Sequence, residues 1–171
     1  MPDEFSLSEG LTVISPTADV RERVCRMIDE SALFSDLEWP QIEMLVRYMD
    51  ICSAQSGAVI FSEGDPGNFA CLLLEGKVDV YKQDHNQQRK NVISLGPGKF
   101  FGEMSLIDEE PRSGTAVAGS DAMLAILTKE KFERLTNEKP GLGIRVLSKL
   151  AKLLSQRLRR ASGILVEYLH E

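Results

Sequence analysis

A chain of 171 residues accommodates one domain with appendages and can bury a core without a disulfide or metal staple. Hydrophobic residues make up 43%, yet no apolar run reaches the roughly 18 to 20 residues of a membrane span, and the opening Met1-Pro2-Asp3-Glu4 is acidic where a secretory leader is basic, so a cytoplasmic location and no membrane partner are expected. The net charge of −6 is uneven: residues 1–50 are acid-rich, whereas Pro140 to Val166 carries Arg145, Lys149, Lys152, Arg157, Arg159 and Arg160 and no acid, which suits a solvated helix face better than a nucleic-acid surface.

Residues 1–18 are polar, with scattered Ser, Thr, Gly and Pro and no period, and are expected to form a flexible arm. Residues 19–50 are expected to form a helical cap. Val24, Met27, Ile28 and Leu33 share one side of a first helix, and Ile42, Leu45, Val46 and Met49 recur at steps of three and four in a second. Ser35 to Pro40 separates them, and Pro40 can open the second helix in its first turn.

Residues 51–128 change to short β-prone runs punctuated by glycines. The runs are Ala58 to Phe61, Ala70 to Leu74, Val78 to Tyr81, Asn91 to Leu95, Thr115 to Ala118 and Ala122 to Leu127. They imply an antiparallel sandwich or barrel, with Asp84 to Lys90 as an exposed hairpin tip. Residues 129–171 return to helix, first over Lys129 to Asn137 and then from Pro140 to the end of the chain. There Ile144, Leu147, Ala151, Leu154, Leu158, Ala161, Leu165 and Tyr168 form an unbroken heptad seam, so a homodimer through this helix is expected. A second row, Val146, Leu150, Leu153 and Ile164, is available to pack on the chain's own domain.

The densest chemistry lies between Gly98 and Thr115. Gly102 lets backbone approach a ligand closely, and the turn beginning at Glu103 can aim N–H groups at an anion. Arg112 has a planar fork that matches two phosphate oxygens, while the Glu103 carboxylate can accept from vicinal sugar hydroxyls. Ser113 can add a hydroxyl or an N–H to the same phosphate. An internal ion pair between Glu103 and Arg112, closing a turn, is the alternative. Cys25, Cys52 and Cys71 are odd in number and widely spaced, as suits buried thiols, and His85 and His170 are the chain's two histidines, too few for a clustered metal site. Neither a metal nor an enzyme is expected.

The segment Phe101-Gly102-Glu103-Met104-Ser105-Leu106 through Pro111-Arg112-Ser113-Gly114-Thr115 resembles the phosphate-binding cassette of cyclic nucleotide-binding domains, as in catabolite activators and kinase regulatory subunits. Phe61-Ser62-Glu63-Gly64-Asp65, Gly76 to Val80, Leu95 to Gly98 and Leu33 to Leu37 resemble other pieces of that family, in the family's order. The resemblance implies a mainly β fold with flanking α: an eight-stranded antiparallel jelly roll (double-stranded β-helix) with an N-terminal helical cap and a long C-terminal helix. It places Glu103 on the ribose 2′-hydroxyl and Arg112 on the phosphate, with backbone of Gly102, Met104, Ser105, Ser113 and Gly114 around the phosphate and Val80 and Val92 as apolar walls. It implies a regulatory module that senses cyclic nucleotide and signals through its C-terminal helix.

Several positions depart from the family pattern. Gly114 stands where the family usually has alanine and is expected to loosen the segment. No Thr-Ser pair stands between Leu150 and Ser162 to read adenine; Ser155, Gln156, Arg157 and Arg160 are the substitutes, and Arg157 is the candidate for contacting the base. Ser113, where guanine-preferring members often resemble one another in carrying threonine, points to cAMP over cGMP. The chain stops at Glu171 without the helix-turn-helix of the activators, so direct DNA binding is not expected and output would pass to an effector protein. Arg159-Arg160-Ala161-Ser162 resembles a basic-directed phosphorylation site. A docking module that keeps the fold and has lost the ligand is the rival reading.

Overall fold

The computed structural model describes residues 9–169. The N-terminal helices form where their caps allow. Helix α1 (Ala18–Glu30) starts at Thr17, whose side chain accepts from the Val20 N–H at 3.4 Å, and it buries Val24, Cys25 and Ile28. Helix α2 (Trp39–Val46) has Pro40 in its first turn and a capping box in which the Glu38 N–H donates to Gln41 Oε1 at 3.0 Å. It buries Ile42, Leu45 and Val46.

Strands β1 (Thr12–Ile14), β2 (Asp50–Ala54), β4 (Phe69–Glu75), β7 (Phe100–Phe101) and β9 (Ala122–Thr128) form one sheet in the order β1-β2-β9-β4-β7. Strands β3 (Val59–Phe61), β5 (Val78–Gln83), β6 (Arg89–Leu95) and β8 (Thr115–Ala118) form the other, in the order β3-β8-β5-β6. All pairings are antiparallel. At the β5–β6 tip, Asp84 Oδ1 accepts from the N–H groups of Asn86 and Gln88 at 2.8 and 2.9 Å.

The larger sheet is covered on both faces, which is why β4 reads as a continuous apolar run. Its Ala70, Leu72 and Leu74 join Ile28, Phe34 and Leu45 beneath the helices. Its Cys71 and Leu73 join Ile60, Val78, Ala116 and Leu124 between the two sheets. One strand thus serves two cores.

The mainly β architecture with flanking helices agrees with the sequence reading, and the strand count does not. Among the described residues there are nine strands in two antiparallel sheets with no closed barrel, against the eight expected. The extra pairing comes from β1, inside the segment expected to be a loose arm; its residues 1–8 lie outside the described residues. β1 is held by ladder bonds to β2, with Thr12 opposite Ser53 and Ile14 opposite Ile51, while its side chains stay largely exposed. A strand held by backbone alone leaves no hydrophobic period to read.

After helix α4 (Lys129–Glu138), capped by Thr128, helix α5 (Pro140–Tyr168) runs for 29 residues in two unlike halves. The first buries Leu142, Gly143, Val146 and Leu150 and is tethered to the cap by Lys149 on Asp36 and by Arg145 Nη1 to Gln41 Oε1 at 3.2 Å. Beyond Leu150 every described residue is exposed or half-buried. Ile144, Leu147, Leu158, Leu165 and Tyr168 of the heptad seam are exposed, whereas Leu154 is half-buried and Ala161 lines a cavity.

Candidate functional site

Helix α3 (Glu103–Asp108) and the loop after it build the site. Gly102 precedes α3 at φ 76°, and a Cβ there would stand 3.0 Å from Arg112 Nη1 and 3.2 Å from the Phe61 ring, so glycine is required by both conformation and space. The Arg112 N–H donates to Asp65 O at 2.8 Å and the Gly64 N–H donates to Arg112 O at 2.9 Å, clamping the loop to the turn after β3. In that turn a Cβ on Gly67 would come within 2.1 Å of Ser105 Cβ. These contacts send the Arg112 side chain inward. It is 3% exposed, lies over the rings of Phe61 at 4.1 Å and Phe69 at 4.5 Å, and donates from Nη1 to Gly102 O at 3.0 Å.

A cavity of about 370 Å³ opens beside this guanidinium. It brings together Gly102, Glu103, Met104, Ser105, Arg112, Ser113 and Gly114 from α3 and its flanks, Val80 and Val92 from β5 and β6, and Arg157 from α5, but not Ser155 or Gln156. Glu103 is fully buried. It does not pair with Arg112. Its Oε1 receives Arg157 Nη1, and Arg157 Nη2 donates to Phe100 O at 2.5 Å, so both terminal nitrogens of the base-contact candidate are engaged at the floor of the cavity.

Among the described residues Glu103 Oε2, Arg112 Nε and Arg112 Nη2 are buried without hydrogen-bond partners. Such atoms are costly to bury, and a carboxylate oxygen beside unspent guanidinium donors fits a ligand carrying both hydroxyl and anionic oxygen. Burial depresses the affinity of Arg112 for its proton, opposed by Cys71, Asp65 and Glu103, so an anion in the cavity would relieve the cost of its charge.

Ser113 is exposed, its hydroxyl 3.7 Å from the Met104 sulfur. Gly114 is buried, and a Cβ there would meet Tyr81 O at 2.9 Å, a packing reason for glycine that sequence alone does not reveal. Val80 is half-buried, whereas Val92 is 62% exposed at the rim. The lining also takes in residues not singled out from sequence as site residues: Phe61, Ile93, Leu95, Phe101, Ala161 and Ile164. Phe61, Leu95 and Phe101 stand in the segments that resemble the family, while Ile93, Ala161 and Ile164 gave only strand or helix apolarity, the same signal that core residues give. Arg160, named among the substitutes for the adenine-reading pair, lines the cavity too. Among the described residues no group of three or more His, Cys, Asp or Glu is placed to hold a metal, and no helix is long and apolar enough to cross a membrane. His170 lies outside the described residues.

Residues 51–139 match the family model of the cyclic nucleotide-binding domain. The chain is 37% identical over 131 residues to the cyclic AMP receptor protein of Thermus thermophilus, covering 77% of this chain and 59% of that one. It is 33% identical over 108 residues to a cAMP-dependent protein kinase regulatory subunit of Aspergillus niger, covering 63% of this chain and 26% of the subunit. Its fold matches the crystal structure of a cyclic nucleotide-binding domain from Methylobacillus flagellatus with a TM-score of 0.81 and 30% identity, over 93% of this chain and 89% of that one. The chain belongs to the cyclic nucleotide-binding domain family, and it spans less than two thirds of the length of each of these two curated relatives.

Proposed function

We infer that the chain is a regulatory module that binds a 3′,5′-cyclic nucleotide, with cAMP as the expected ligand and cGMP as the alternative. The observation that carries this reading is the pair of unspent buried groups facing one cavity: two guanidinium nitrogens of Arg112 suited to a phosphate, and Glu103 Oε2 suited to a ribose hydroxyl. Gly102, Met104, Ser105, Ser113 and Gly114 would surround the phosphate, and Val80 and Val92 would flank ribose and base. The lean toward cAMP rests on Ser113 and on relatives named for cyclic AMP. The module acts by binding and carries out no reaction of its own.

Transmission would run through α5, because Arg157 links that helix to the same carboxylate the ribose would use. The exposed seam from Ile144 to Tyr168 suits pairing with α5 of a second copy, and an effector protein would read the change. Isothermal titration with cAMP and cGMP is the test. Heat with either nucleotide is expected, and silence from both at high micromolar concentration would leave a docking module as the reading.

A further inference from the structure

The cavity carries more positive charge than one phosphate needs. Arg112, Arg157 and Arg160 line it against the single carboxylate Glu103. Arg112 is buried beside Gly102, and the terminal nitrogens of Arg157 are taken by Glu103 and Phe100 O. Arg160 is different: it is exposed, and its guanidinium makes no hydrogen bond or ion pair to any described residue. Arg157, Arg160, Ala161 and Ile164 follow at helical steps of three and four, so one face of α5 lies over the cavity, opposite Val92 and Ile93 of β6. With phosphate at Arg112 and ribose at Glu103, this mouth is left for the base.

A guanidinium donates in a planar fork and cannot accept. Guanine offers it two neighbouring acceptors, O6 and N7, whereas adenine offers N7 beside an amino group whose hydrogens oppose a cation. We propose that Arg160 is a base-reading residue, giving guanine a pair of hydrogen bonds that adenine cannot make, so that the site accepts cGMP alongside cAMP. The proposal rests on the cyclic-nucleotide reading above. A solvated flanking arginine would leave base preference untouched, and a merely attractive charge would favour every nucleotide alike.

The test is competition binding of cAMP, cGMP and cyclic inosine monophosphate, which keeps O6 and N7 but lacks the guanine amino group, to wild type, Arg160→Met and Arg160→Lys. Arg160→Met keeps the apolar stem. It should weaken cGMP and cyclic inosine monophosphate about tenfold while changing cAMP by less than about threefold. Arg160→Lys, a cation without the fork, should not restore the lost preference. Equal losses for all three nucleotides, no loss for any, or full rescue by lysine would overturn the proposal. A wild-type protein that binds none of the three would instead overturn the cyclic-nucleotide reading itself, an outcome distinct from wild-type binding that ignores Arg160.

Discussion

Arg112 shows how a side chain can be poor for stability and well placed for binding. A guanidinium that is 3% exposed, with Nε and Nη2 unpartnered among the described residues, is held by two aromatic faces and one carbonyl. Arg112→Met would keep the contact with Phe61 and Phe69 and remove the charge. The ligand-free variant is expected to melt no lower than wild type in a calorimetric scan. Wild type should gain about 2.7 kcal/mol at a hundredfold excess of cAMP over its Kd, and the variant should gain none. Gly114 leads to the opposite expectation. An added Cβ would stand 2.9 Å from a backbone oxygen that cannot swing aside, so Gly114→Ala should cost about 1 to 3 kcal/mol in urea unfolding, even though alanine is the family's usual residue. An unchanged midpoint would mean that β5 and β8 can part at no cost.

The two halves of α5 make separate predictions. Leu150→Ala empties a fully buried position under the helices and should cost about 2 to 5 kcal/mol. Leu158, 69% exposed, should cost under about 0.5 kcal/mol when replaced by alanine, whereas Leu158→Glu should weaken self-association in sedimentation measurements if α5 pairs along the seam. A sedimentation profile unmoved by Leu158→Glu would argue against that pairing. Helices and β4 were legible because burial on one face or both imposes a pattern on the sequence. Three strands were not: β7 is two residues long, β1 is held by ladder bonds, and β2 mixes Asp50 and Ser53 with Ile51 and Cys52. The site was legible as a set because Gly102, Glu103 and Arg112 lie close in sequence. The Glu103–Arg157 pair was not, since 54 residues separate its members and no local spacing encodes such a meeting.

Across the molecule, burial of the thiols ties stability to alkaline pH. Desolvation pushes Cys52 up to about 12, aided by Asp50, and drives Cys71 higher still. A folded value above the unfolded one of about 8.5 means stability that is intact below that pH and falls as pH rises toward 12, because the unfolded chain sheds protons that the native state retains. Urea midpoints should therefore drop between pH 8 and pH 10, roughly the range where free thiols ionise, and Cys52→Ala should soften the decline. A pH-independent midpoint in that range would contradict the burial of these thiols. The sheet order carries a further consequence, for the timing of folding. β2 and β4 are not hydrogen-bonded neighbours; β9, late in sequence, lies between them and bonds to both. During synthesis the whole stretch from Gly102 to Gly114 leaves the ribosome before the strand that joins the sheet's two halves. Until Thr128 has emerged the larger sheet lacks the strand at its centre, so a nascent chain can carry every residue proposed to meet the phosphate and still lack the completed sheet.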